Sequence, residues 1–142
     1  MFSREESKKL RQEFWISFGK SFPRKWILYN TRIRDFSFKF YFDTKKALVT
    51  LDIEDPDIEI RHMYFDKVCS LRSILLEDYL PDLLFEKACY LDNGKEISRI
   101  YDLKTAVSIH NKNTWQETMV FLNDRMLRFE AFFTEYEDFL KA

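Results

Sequence analysis

Between residues 36 and 43 the chain reads F-S-F-K-F-Y-F-D, with phenylalanine at every second position from Phe36 to Phe42. Side chains leave a strand on alternate faces, so this spacing demands a strand with an aromatic, buried face and a second face carrying Ser37, Lys39 and Tyr41. The next segment repeats the pattern: Ala47, Val49, Leu51 and Ile53 alternate with Leu48, Thr50, Asp52 and Glu54. The link between them, D-T-K-K, is short and polar, so the two strands are expected as antiparallel neighbours. Trp26 to Thr31, aromatic and β-branched, reads as a preceding strand joined through T-R-I-R-D. A three-stranded meander is the expectation.

Helical spacing surrounds these strands. Ser3 and Glu6 stand at capping-box distance, and behind them Leu10, Phe14 and Phe18 recur every four residues, flanked by Trp15 and Phe22. That predicts a helix of about four turns closed between Gly19 and Pro23. Asp55-Pro56 reads as an N-cap followed by proline in the first turn. From there Ile60, Tyr64, Val68, Leu71, Leu75 and Tyr79 share one face as far as Leu80-Pro81. Residues 84–91 and 96–101 form a second strand pair around Asp92-Asn93-Gly94, where Asn-Gly favours a type I′ turn. Asn113 and Gln116 then cap a last helix whose stripe runs Trp115, Met119, Leu122, Met126, Phe129, Phe133, Tyr136 and Leu140. About 28 residues give roughly 42 Å of helix, as long as a domain of this size is wide. With Val120, Phe121, Leu127, Phe132 and Phe139 widening the stripe, a homodimer through residues 113–142 is expected. The predicted architecture is a single α+β domain over residues 1–142, order α-β-β-β-α-β-β-α, with a mostly antiparallel sheet packed by helices.

With 46% hydrophobic and 33% charged residues the chain is globular rather than disordered. No apolar run approaches the roughly 20 residues of a membrane span, and the charged start M-F-S-R-E-E-S-K-K-L lacks a signal-peptide core. A cytoplasmic protein without membrane contact is expected. Cys69 and Cys89 are too few and too far apart for a disulfide framework or a CxxC site, and read as free buried thiols. Charge is unevenly spread: residues 1–50 carry twelve Lys/Arg against five Asp/Glu, residues 51–142 eleven against nineteen. Such asymmetry marks an anion-binding face, paired copies, or two halves of one fold attracting each other. The last is preferred, because the fold mixes both halves.

Two constellations are candidates for chemistry. Two glycines 75 residues apart exclude a Gly-rich phosphate loop, and His62 and His110 have no metal-ligand spacing. Asp52 and Glu54, two apart on one strand, project the same way, as carboxylates holding Mg²⁺ do. The helix, three strands and helix also resemble the core of the restriction-endonuclease-like superfamily. That likeness implies an acidic residue on the second strand, met here by Asp43, and a D/E-x-K on the third. The third strand reads T-L-D-I-E-D-P instead, so the lysine is missing there, with Lys39 as its substitute. The nuclease alternative therefore uses Asp43, Asp52, Glu54 and Lys39, with metal at Asp43 and Asp52, and no other cofactor is expected. The second constellation is a binding face: Ser37, Lys39 and Tyr41 beside Thr50 and Asp52, with Tyr29 or Asn30 nearby. Tyrosine beside cations suits stacking and phosphate contact with single-stranded nucleic acid. Against it, the preferred reading is that helices cover this face.

F-W-I-S-F-G at 14–19, W-I-L-Y-N-T at 26–31 and D-F-S-F-K-F-Y-F-D at 35–43 form a distinctive set with Y-L-D-N-G-K-E-I-S-R-I-Y at 90–101 and V-S-I-H-N-K-N-T-W at 107–115. Over nearly the whole chain they resemble the bacterial family known as domain of unknown function 4268, common in Bacteroidetes. The resemblance brings no catalytic residues. Longer proteins of this type place such a domain after a nuclease-like module, which implies DNA-related or defence-related roles. Within the matching motifs, Asn30, Arg99 and Tyr101 join Lys39 and Tyr41 as candidate binding residues. The leading expectation is a non-enzymatic, dimeric interaction or accessory domain in nucleic-acid or defence metabolism. A divergent Mg²⁺-dependent nuclease and a purely structural dimerisation domain are the alternatives.

Overall fold

A computed structural model describes residues 2–24, 26 and 30–142. Its elements are α1 (Arg4–Ser21), β1 (Phe36–Phe42), β2 (Lys46–Ile53), α2 (Ile58–Ser70), α3 (Arg72–Ile74) continued by a π-helical turn at Leu75–Tyr79, β3 (Leu84–Tyr90), β4 (Glu96–Thr105), and α4 (Trp115–Lys141). The sheet is antiparallel throughout, in the order β1-β2-β4-β3. It consists of two hairpins, β1–β2 and β3–β4, joined along a β2–β4 seam. This is the expected α+β domain. The strand expected at 26–31 falls partly on residues 27–29, outside the described residues.

The phenylalanine alternation decides where the core lies. Phe36, Phe38 and Phe42 are buried, and the register sets them opposite Ile53, Leu51 and Ala47. From the other side α4 and α2 meet this face: Phe38 packs on Phe129 at 5.2 Å between ring centroids, and Phe36 on Tyr64 at 5.9 Å. α1 closes the end of the same layer, with Phe14 against Phe42 at 4.6 Å and Trp115 at 5.4 Å. The α4 stripe is largely satisfied within the chain: Trp115, Met119, Leu122, Met126, Phe129, Phe133 and Leu140 are buried, and Val120 and Phe139 remain exposed. The surplus apolar surface expected of this helix is therefore small.

Several local expectations shift. Ser3 caps α1 as anticipated, its hydroxyl accepting from the Glu6 amide at 3.1 Å, but Gly19 lies inside the helix and Phe22 ends it. α2 is capped by Asp57, not Asp55: the Asp57 carboxylate accepts from the Glu59 and Ile60 amides, while Asp55 holds the Asp57 amide in a preceding turn. The helix breaks at Leu71 instead of running unbroken to Tyr79. Thr114 precedes α4, and Asn111, not Asn113, caps the short 3₁₀ turn before it. The second hairpin has only Gly94 at positive φ (+85°), so its loop is not type I′. Leu91 accepts from the Gly94 amide and donates to Lys95, which makes a three-residue loop with glycine in the left-handed position. β3 carries an irregularity between Glu86 and Cys89.

The unequal charge of the two halves is partly resolved within the fold. Arg24 pairs with Glu130 on α4, and Lys39 of β1 with Asp52 on β2 and Glu54 just beyond it.

Candidate interaction surface

Because helices occupy the phenylalanine face, the opposite face of the sheet carries whatever the alternation leaves over. The register arranges those residues in rows across the strands. Ser37, Asp52, Arg99 and Glu86 form one row; Lys39, Thr50, Tyr101 and Leu84 the next; Tyr41, Leu48 and Leu103 the third. The preferred expectation of a helix covering this face is overturned. Strand and hairpin residues alone line an open concavity of about 640 Å³ there, floored by Asp52, Arg99 and Leu48 and walled by Lys39, Tyr41, Tyr101 and Glu86. A strand's alternation reports which side is buried in the core, not whether a second layer lies beyond the other side.

The floor is an ion-pair lattice. Arg99 grips Asp52 with two hydrogen bonds, Nε to Oδ1 at 2.8 Å and Nη2 to Oδ2 at 3.0 Å. The Asp52 side chain is 2% exposed and that of Arg99 18%. Burial works against the guanidinium charge, but the hydrogen bonds and charge of Asp52 win, and its pKa is raised. Lys39 Nζ donates to Glu54 at 2.7 Å and lies 3.8 Å from Asp52; Lys95 reaches Glu54 at 3.4 Å. Burial of Glu54 favours its neutral form, but the hydrogen bond and charge of Lys39 outweigh that and lower its pKa.

The tyrosines are tethered. Tyr41 donates to Asp43 at 2.8 Å, and burial together with that bond pushes its pKa up to about 12. Tyr101 donates to Glu86 at 3.1 Å and is likewise raised, by burial first and then by Glu86. Both phenols stay protonated near neutrality. Cys89, beside Glu86, is raised by burial and by the carboxylate, which keeps it a thiol rather than a nucleophilic thiolate. Cys69 is raised by burial too; both cysteines are free and half-buried. Thr50, at the centre of the face, is buried, and its hydroxyl has no hydrogen-bond partner.

Of the binding residues expected from sequence, Lys39, Tyr41, Arg99 and Tyr101 come together on this face. Asn30 does not join them: its side chain accepts from the Arg32 amide in an adjoining concavity that shares Lys39. For the nuclease set, Asp52, Glu54 and Lys39 are neighbours, whereas Asp43 is six residues along β1 from Ser37, which faces Asp52. At about 3.4 Å per residue that is roughly 20 Å. Asp43 instead holds the β1–β2 turn, accepting from the Lys45 and Lys46 amides at 2.7 and 2.9 Å. Among the described residues no group of three or more His, Cys, Asp or Glu side chains is placed to hold a metal ion. His110 shares a hydrogen bond with Ser7 at 2.7 Å and packs on Phe2, away from the face; His62 lies on α2. Glu86, Asp92 and Lys46 were missed by sequence reasoning. The β3–β4 register that brings Glu86 beside Arg99 leaves no mark in local spacing.

Among the described residues no helix is long and apolar enough to cross a membrane. No curated protein and no solved structure matches the chain. One family model does, over residues 10–137, and the chain accordingly belongs to the family described as Domain of unknown function (DUF4268).

Proposed function

We propose that this is a non-enzymatic interaction domain, a cytoplasmic accessory in nucleic-acid or defence metabolism, whose contact surface is the open polar face of the sheet. The observation that carries this reading is the face itself: a concavity without a helix over it, bearing three tethered tyrosines, Tyr41, Tyr90 and Tyr101, and three cations, Lys39, Lys46 and Arg99. Its buried carboxylate is gripped by Arg99, and its thiol is held protonated, so the groups that would do chemistry are already engaged in holding shape. Retention on heparin that weakens with salt in the wild type and is lost in Lys39→Ala/Lys46→Ala, with an unchanged circular dichroism spectrum, supports the reading. Equal retention of the two proteins removes this face as the contact surface.

The Mg²⁺-dependent nuclease is a second reading, favoured by one observation: Lys39 does stand between Glu54 and Asp52, as a migrated lysine must. Cleavage of plasmid DNA in Mg²⁺ or Mn²⁺ that is lost in Asp52→Asn supports it; intact plasmid at high enzyme concentration rejects it. Self-association through residues 113–142 has Val120 and Phe139 as its exposed apolar contacts. Light scattering at tens of micromolar tests it: a mass of two chains that falls to one in Val120→Ser/Phe139→Ser supports the dimer, and a single-chain mass for the wild type rejects it.

A further inference from the structure

We propose that the open face binds single-stranded nucleic acid, with bases stacked on Tyr41 and Tyr101 and their amino groups received by the carboxylates of Glu86 and Asp92. The inference rests on the reading of this face as the contact surface, and adds what occupies it.

The charges on the face are sorted across the strands. Lys39 and Lys46 stand on the β1–β2 side and are exposed; Glu86 and Asp92 are exposed on the β3 side and its hairpin. The carboxylates near Lys39 lie lower: its own side chain is 47% exposed, those of Asp52 and Glu54 2% and 18%. A ligand therefore meets ammonium groups on one side and carboxylates on the other. A strand of nucleic acid has that polarity across its width, with phosphates along one edge and base donors along the other. Lys39 Nζ reaches across to the Asp52 carboxylate on β2, and two strand spacings, roughly 10 Å, separate β2 from β3. That is the reach of one nucleotide from backbone to base edge.

Tyr101, on β4, lies between these two sides, and Tyr41 lies beside Lys39 on β1. Tyr101 is two strands from Lys39 in the same row, and Tyr41 is two residues further along β1. Their hydroxyls are bonded to Glu86 and Asp43, which fixes how each ring lies on the sheet. Sheet-borne aromatic rings that hold unpaired bases are the ordinary means of recognising single strands. Thr50, in the row between Lys39 and Tyr101, keeps a hydroxyl that nothing within the chain satisfies. A ligand that parts those two side chains supplies its partner.

The lining also fixes how affinity depends on salt and base. Lys39, Lys46 and Arg99 are balanced by Asp52, Glu86 and Asp92, so long-range attraction for phosphate is small and stacking supplies most of the affinity. With two phosphates met by Lys39 and Lys46, the log–log salt slope is about −1.4, a roughly 7-fold loss between 50 and 200 mM salt. Carboxylate acceptors favour bases with amino donors, as an acidic side chain does for the cytosine amino group. Cytosine is favoured over thymine or uracil.

The test is fluorescence anisotropy of the full chain with labelled oligonucleotides of about ten cytosines or ten thymines, as DNA and as RNA. Expected are tighter binding of the cytosine strands, the shallow salt slope, and a roughly 10-fold loss in Tyr101→Ala. Glu86→Gln is expected to weaken the cytosine preference while binding persists, which a merely destabilised protein would not do. Tyr41→Phe, which keeps the ring, is expected to retain affinity. Binding that is indifferent to Tyr101→Ala and Glu86→Gln overturns the proposal. Absence of oligonucleotide binding overturns it too. If heparin retention still depends on Lys39 and Lys46 in that case, the face stands as a contact surface for a protein partner. If that retention is also independent of them, both readings fall.

Discussion

Replacing Arg99 by methionine keeps an unbranched stem but removes both hydrogen bonds to Asp52. The Asp52 side chain is 2% exposed, and Lys39 at 3.8 Å is then its nearest cation. Breaking a buried ion pair by deleting one partner costs about 3–5 kcal/mol, because the remaining charge is left without compensation. Lys39 survives and the face is open to water, so the lower end applies, about 3 kcal/mol. Asp52→Asn preserves shape and leaves a guanidinium that reaches solvent, for a cost of about 1.5 kcal/mol. If the two groups act as a pair, the double variant costs about 3 kcal/mol rather than the additive value of about 4.5. Urea unfolding followed by the fluorescence of Trp15, Trp26 and Trp115 reads these values. With a slope of about 1.5 kcal/mol per molar, Arg99→Met lowers the midpoint by about 2 M. A shift under about 0.5 M, or a double variant additive to within about 0.5 kcal/mol, refutes the pair as the floor of the face.

Gly94→Ala is expected to cost about 1 kcal/mol, read as a fall of about 4 °C in Tm, because the residue sits at φ +85° although the space around it is open; Gly94→Asn is expected to cost less. Asp57→Ala is expected to cost about 1 kcal/mol in chemical denaturation and Asp55→Ala much less, and the reverse ranking would return the cap of α2 to Asp55. Burial favours the neutral form of Asp43, yet the Lys45 amide, the Tyr41 hydroxyl and the Lys46 amide together lower its pKa. Its contribution to stability is therefore complete above the unfolded carboxyl pKa of about 3.9 and is lost as pH falls through the lower folded value. Asp43→Asn should lower Tm at neutral pH, with the gap to wild type closing toward about pH 2; a gap independent of pH contradicts this.

Much of the fold was legible because its signals are local. The alternation at Phe36–Phe42 named both the buried and the polar face of β1, and Ser3 announced the start of α1. The hairpin at Gly94 was visible, though not its loop type, since Asn93 is not at positive φ. What escaped depends on partners distant in sequence. Asp52 and Arg99 are 47 residues apart and meet only because β2 pairs with β4. On β2 itself the alternation misled: Leu48, Thr50 and Asp52 point to the open face yet are buried, because a central strand is covered by the long side chains of its neighbours. Tyr101 and Arg99 were picked from motifs and Tyr41 and Lys39 from spacing; their convergence is a property of the sheet order.

The irregularity in β3 has a consequence beyond local geometry. β3 ends the sheet, and an edge strand is a template on which another chain can lay its own backbone. For a chain with fifteen phenylalanines, such templating during partial opening leads to insoluble aggregates. The register is broken after Glu86, so that Leu84–Glu86 and Cys89–Tyr90 are the only paired stretches of β3, and Lys87 is drawn to Asp66 of α2 at 3.2 Å. Neither stretch is long enough to seed a ladder, and the break lies beside a lysine. The kink in β3 thus blunts one of the sheet's two edges; the other, β1, pairs with β2 without a break from Phe36 to Phe42.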